Sequence, residues 1–83
     1  MSKKLLQKAL STPHNFRFAE MVRLAEAFGF RLSRKRGSHH IYVHPRVTEL
    51  LNLQEVSGKA KPYQIAQFLK LVEKYNLQME EDE

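Results

Sequence analysis

Two short runs of alternating residues constrain this chain more than any other feature. Phe30-Arg31-Leu32-Ser33-Arg34-Lys35 alternates apolar with polar side chains at its start, His39-His40-Ile41-Tyr42-Val43-His44 resumes the alternation, and only Arg36-Gly37-Ser38 separates them. A period of two is the mark of a half-buried strand, so the pair predicts a β-hairpin. Gly37 supplies the positive φ that so short a turn requires, and Pro45 ends the second strand. Such strands need a cover for their apolar face, and the flanking sequence provides one. Phe18, Met21, Val22, Ala25 and Phe28 recur at helical spacing, with Gly29 where a left-handed C-cap is wanted. Beyond the hairpin, Ile65, Phe68, Leu69, Val72 and Tyr75 form a second stripe, and Pro62 is suited to open its helix.

The remaining elements are weaker. Leu5, Leu6, Ala9 and Leu10 give residues 1–12 a leading helix, stopped by Ser11-Thr12-Pro13. A third strand is expected around Leu50–Gln54, although Leu50, Leu51 and Leu53 do not separate by face. Ser57-Gly58-Lys59-Ala60-Lys61 reads as a loop. The order is helix, helix, three strands, helix: an α+β chain with helices on one face of a small antiparallel sheet. Eighty-three residues make one domain, burying roughly 60% of the surface the unfolded chain exposes. The aromatic and Met residues at helical spacing therefore belong to the core rather than to a binding platform.

Charge narrows the partners. The net charge of +5 includes four acids in the last four residues, Glu80-Glu81-Asp82-Glu83; without them 14 positive residues face 5 negative ones, a body of +9. Residues 78–83 are expected to fray as a solvated acidic tail. Between Arg31 and Arg46 stand five Lys or Arg residues, three histidines and no acid, a distribution that suits a polyanion. The chain has no cysteine, which excludes disulfides and thiolate metal sites. It shows neither an apolar run near the ~20 residues that span a bilayer nor a signal peptide, so a soluble cytoplasmic protein with no membrane partner is expected.

Three histidines within six residues raise the question of a metal. On a strand His40 and His44 share a face but stand roughly 13 Å apart, and His39 points the other way. A single zinc ion with bonds of about 2.1 Å cannot join any pair of them, so no metal and no cofactor is expected. Acid–base chemistry fits better, because an imidazole takes and returns a proton near neutral pH. RNA carries its own nucleophile in the 2′-hydroxyl. Lys35 and Arg36 lie just across the turn from His39, where they can hold a phosphate or stabilise developing charge. Gly37 and Ser38 place backbone close to a ligand, with turn amides as further donors. His40, Tyr42 and Lys35 are candidates for a second proton transfer. Lys59 and Lys61 stand at the entrance to the last helix, where free amides and the helix dipole favour phosphate. The competing reading makes the histidines ordinary surface residues of a hairpin and the lysines a solvated loop.

Phe28-Gly29-Phe30, then Arg36-Gly37-Ser38-His39-His40-Ile41-Tyr42 and His44-Pro45, resemble the HicA family of bacterial and archaeal toxins. Leu51-Asn52-Leu53-Gln54 and Gly58-Lys59-Ala60-Lys61-Pro62-Tyr63-Gln64 resemble a longer branch of that family, and the likeness runs from about Phe16 to Leu77. The resemblance implies a fold like the double-stranded RNA-binding domain. It implies an endoribonuclease of a type II toxin–antitoxin system that cuts mRNA with one histidine and no known metal requirement, and a HicB-type antitoxin that blocks the site. The family's histidine usually follows the glycine–serine pair, here His39; in some members it stands one place later, where His40 is. This chain has both. Strand alternation puts His39 with Ile41 and Val43, and His40 with Tyr42 and His44. A non-catalytic module that binds structured RNA through Lys35, Arg36, Lys59 and Lys61 is the alternative. A DNA-binding repressor ranks last, for want of a turn-linked helix pair with a basic recognition face.

Overall fold

In the computed structural model, which describes residues 2–80, the chain forms α1 (Ser2–Ser11), a 3₁₀ turn at Pro13–Asn15, α2 (Phe18–Ala27), β1 (Arg31–Arg36), β2 (His39–His44), β3 (Val47–Gln54) and α3 (Pro62–Lys74). The strands pair antiparallel in the order β1-β2-β3. The element order and fold class agree with the sequence reading: an α+β chain with the helix–sheet–helix arrangement of the double-stranded RNA-binding domain and an extra leading helix.

The core lies between the helices and one sheet face. Met21, Leu24 and Ala25 from α2, Ile65 and Phe68 from α3, and Leu51 and Leu53 from β3 are fully buried. The Phe68 ring meets Phe28 at 5.5 Å and Phe30 at 5.8 Å, tying the third helix to the end of the second. Leu24, outside the expected α2 stripe, is buried, whereas Val22 is only partly covered. Helix α1 adds Leu5 and Ala9, while Leu10 is exposed. Glu20 closes the start of α2 by accepting from the Arg17 amide at 3.0 Å. It also pairs with Lys8 of α1 at 2.8 Å, and these contacts, Lys8 first, hold its carboxyl below the usual range.

The sheet departs from simple alternation at two places. In β1 the register slips between Leu32, opposite Tyr42, and Arg34, opposite Ile41, which makes a one-residue bulge at Ser33. In β3 it slips again between Tyr42↔Leu51 and His44↔Val47. Past that slip the strand alternates, with Leu51 and Leu53 buried and Leu50 on the exposed side. The slip also allows β3 to begin at Val47, directly after the Pro45-Arg46 turn, three residues earlier than expected.

Every residue of β1 is exposed, including Leu32 at 48%. This edge strand therefore overhangs the helical layer, which covers β2 and β3.

The C-terminal segment is tied down further than a fraying tail would be. Leu77 is buried, Met79 packs against the core, and the Glu80 amide donates to Ala27 O at 2.7 Å. Leu77 and Met79 thus give the segment apolar surface to bury, and residues 81–83 of the expected acidic tail lie outside the described residues.

Gly29 has φ +96°, and a Cβ there would stand 2.9 Å from His44 Nε2 and 2.5 Å from the Glu80 carboxylate. Glu80 can swing away, but His44 is buried and held, with Nδ1 accepting from the Arg46 amide at 3.0 Å and its ring 5.1 Å from Phe30. Gly29→Ala is expected to cost about 1–3 kcal/mol, read as a melting temperature lower by roughly 4–24 °C. Where β3 meets the end of α3, Lys74 and the Tyr75 hydroxyl donate to Glu49, in that order of effect, and hold its carboxyl down at about 2 instead of 4.5. A depressed folded-state value stabilises the fold above pH 4.5 and loses that contribution as pH falls towards about 2. Acid titration of Glu49→Gln should show a shallower loss of stability over that window than wild type.

Candidate functional site

Which histidine faces where follows from the core. Tyr42 and His44 are buried and Val43 is exposed, so the helices cover the His40–Tyr42–His44 side of β2. His39, Ile41 and Val43 look out from the uncovered face. The two candidate histidines are neighbours in sequence and lie on opposite sides of the sheet.

His39 sits at the hairpin end of β2, exposed, directly opposite Arg36 on β1 and Gln54 on β3. The burial of Leu51 and Leu53 turns Asn52 and Gln54 to the same open face. Asn52 Oδ1 lies 3.1 Å from His39 Nδ1, and among the described residues the ring's Nε2 has no hydrogen-bond partner. Gln54 Nε2 approaches the Ser38 hydroxyl at 3.5 Å. The Ser33 bulge puts Arg34 on this face with Arg36, since Arg34 pairs Ile41 and Arg36 pairs His39. Further along, the face turns apolar through Ile41, Val43 and Leu50, the last 53% exposed.

His40 has a different setting. Its ring lies 4.8 Å from Phe18, the first residue of α2, and its Nδ1 is 3.2 Å from Ser38 O. A carbonyl oxygen only accepts, so this contact places a proton on Nδ1 of His40. Lys35 pairs with His40 across the strands. The expectation that Lys35 and Arg36 both serve His39 is therefore corrected: Arg36 shares its face, and Lys35 stands behind the sheet. The bulge reset the alternation. His40, Tyr42 and Lys35, the candidates for a second proton transfer, are all on the side away from His39. Burial raises the Tyr42 hydroxyl pKa, with the Glu26 carboxylate adding to the effect, which removes it further from that role.

Gly37 opens the two-residue turn with φ +59° and nothing within 4 Å of where a Cβ would be. Its conformation, rather than close packing, calls for glycine. Ser38 holds the turn to the neighbouring strand end, its carbonyl accepting from the Glu55 amide at 3.1 Å. Lys59 bridges to Arg17 and Val56 in the loop before α3, and Gly58 O accepts from the Phe18 amide at 3.0 Å. This loop is thereby held against the start of α2, where Phe18 meets His40. Lys61 is the exposed residue preceding Pro62 at the head of α3. Lys59 is thus joined through backbone contacts to the His40 side of the hairpin. Sequence reasoning missed Asn52 and Gln54 as site residues. The alternation of Leu51 and Leu53 with them was the available signal.

A groove of about 480 Å³ lined by Glu49, Gln67, Lys70, Leu71, Glu73 and Lys74 lies at β3 and α3, apart from every candidate residue. No helix among the described residues is long and apolar enough to cross a membrane.

A basic, helix-backed three-stranded sheet with a histidine at the hairpin end of its middle strand defines the class of fold and site. The family model described as HicA toxin of bacterial toxin-antitoxin matches residues 18–73. The chain belongs to the HicA family of toxins from toxin–antitoxin systems. No match is found among curated proteins or among solved structures.

The two faces are separable by experiment. Phe18→Ala should alter the ring resonances of His40 in a histidine NMR spectrum and leave those of His39 in place, while Asn52→Ala should do the reverse.

Proposed function

We propose that this chain is an endoribonuclease that cuts mRNA by histidine acid–base chemistry without a metal. It arrests translation in the cytoplasm and is silenced by a HicB-type antitoxin that covers the site. The observation that carries this reading, in a chain of a toxin family, is His39 on the open sheet face, its Nε2 without a partner among the described residues and Arg36 directly opposite.

Nε2 takes the proton of a 2′-hydroxyl, whose oxygen then attacks the adjacent phosphorus. Arg36 and Arg34 share the face and stabilise the charge that builds on the phosphorane oxygens. The 5′-oxygen leaves, and the strand ends in a 2′,3′-cyclic phosphate. The imidazolium formed in the first step, or solvent at this exposed site, returns a proton to the leaving oxygen. Gly37 and Ser38 form the turn beside the scissile phosphate.

One observation favours a second reading, in which His40 does the chemistry. It is seated at the start of α2 with Lys35 across the strand and the Lys59 loop held alongside. The third reading is a binding module without catalysis, in which Lys35, Arg36, Lys59 and Lys61 grip phosphates of structured RNA.

Replacing each histidine separates the three. His39→Ala should reduce RNA cleavage by at least about 100-fold and relieve growth arrest on induced expression, with RNA affinity little changed. Loss with His40→Ala alone moves the chemistry to the covered face, and no cleavage by wild type leaves the binding module. Lys59→Ala and Lys61→Ala should each weaken RNA binding uniformly across sequences and lower the slope of log affinity against log salt by about 1.

A further inference from the structure

We infer that Asn52 is a positioning residue for His39, fixing the neutral ring with its proton on Nδ1 so that Nε2 is the free base. This rests on the proposal that His39 performs the chemistry.

The contact is a product of strand register. Asn52 is the cross-strand partner of Ile41, and His39 lies one step along the diagonal on the same face. Leu51 and Leu53, fully buried on either side of Asn52, hold β3 against slipping and so hold the amide on the open face. Its Oδ1 stands 3.1 Å from Nδ1. An amide oxygen accepts only, so the ring nitrogen facing it must donate. The neutral imidazole has one proton, and placing it on Nδ1 leaves the lone pair on Nε2.

This matters because a free histidine side chain favours the opposite tautomer, with the proton on Nε2. That form cannot accept a proton at the nitrogen that faces outward. A fixed acceptor at Nδ1 both selects the working tautomer and restricts rotation about the ring's bond to Cβ. Carboxylates in other histidine sites serve the same purpose. A neutral amide does so without adding negative charge beside an incoming phosphate, which suits a site that must attract an anion. Gln54, directly opposite His39, approaches Ser38 instead, so the two amides of β3 have different partners.

Long-range ¹H–¹⁵N correlation of the His39 ring, at a pH where it is neutral, tests the inference without reference to activity. Wild type should show the proton on Nδ1. Asn52→Leu, which keeps β propensity at an exposed site, should move it to Nε2, and Asn52→Asp, which retains an acceptor, should keep it on Nδ1. Cleavage by Asn52→Leu should fall about 10- to 100-fold with an unchanged melting temperature and unchanged RNA affinity. A wild-type ring protonated on Nε2, or one tautomer in both wild type and Asn52→Leu, overturns the inference. So does a tautomer change that leaves cleavage at the wild-type rate. A wild type as inert as His39→Ala fails the ribonuclease reading instead, and the tautomers still decide whether Asn52 sets the ring.

Discussion

The burial of Tyr42, Leu51 and Leu53 against the helices is the constraint on which the rest of this structure depends. Side chains on a strand alternate, so choosing the inward residues of β2 and β3 also chooses every outward one. Each large apolar side chain removed from water contributes about 1.5–3 kcal/mol, and a slip of one residue would expose all of them together. That penalty is what keeps His39, Asn52 and Gln54 on the open face and His40 beneath it. The site is held by groups that never touch it.

The Ser33 bulge has the same kind of reach. Without it, strict alternation would carry the side of Leu32 on to Arg34 and Arg36, leaving Lys35 on the face of His39. One inserted residue reverses the outcome and puts Arg34 and Arg36 on the face of His39. Planar guanidiniums suit paired contacts to phosphate oxygens better than a single ammonium does. The overhang of β1 follows from the same composition. A strand with four cations and no acid finds no gain in being covered, and its charges also discourage pairing with other edges.

The hairpin end is two-sided. One side carries His39, Asn52 and Gln54 with Arg34 and Arg36 on the same face, open to solvent. The other carries His40 packed on Phe18, close to the head of α2 and the loop of Lys59. A family resemblance that admits either histidine is therefore resolved by geometry into two distinct chemical settings. The third histidine, His44, belongs to neither. It is buried, accepts from the Arg46 amide and shares with Gly29 the tight corner where α2 passes into β1.

Much was legible in the sequence. Periodicity identified the helices, because stripes such as Phe18-Met21-Ala25 and Ile65-Phe68 have only one way to be buried. The hairpin was legible from its alternation and from Gly37, and the basic character of the site from its charges. What sequence left open were matters of side and register. Local pattern shows that His39 and His40 differ in face, but only packing says which face the helices take. Bulges leave no mark in composition, so neither the place of Arg34, rather than Lys35, with Arg36 on the face of His39 nor the early start of β3 could be read. Asn52 meets His39 across a strand boundary thirteen residues away. The residue types, their order and their charges were determined by the chain itself; their juxtaposition was decided by the tertiary structure, because burying one face of a sheet is a cooperative choice that no local segment makes alone.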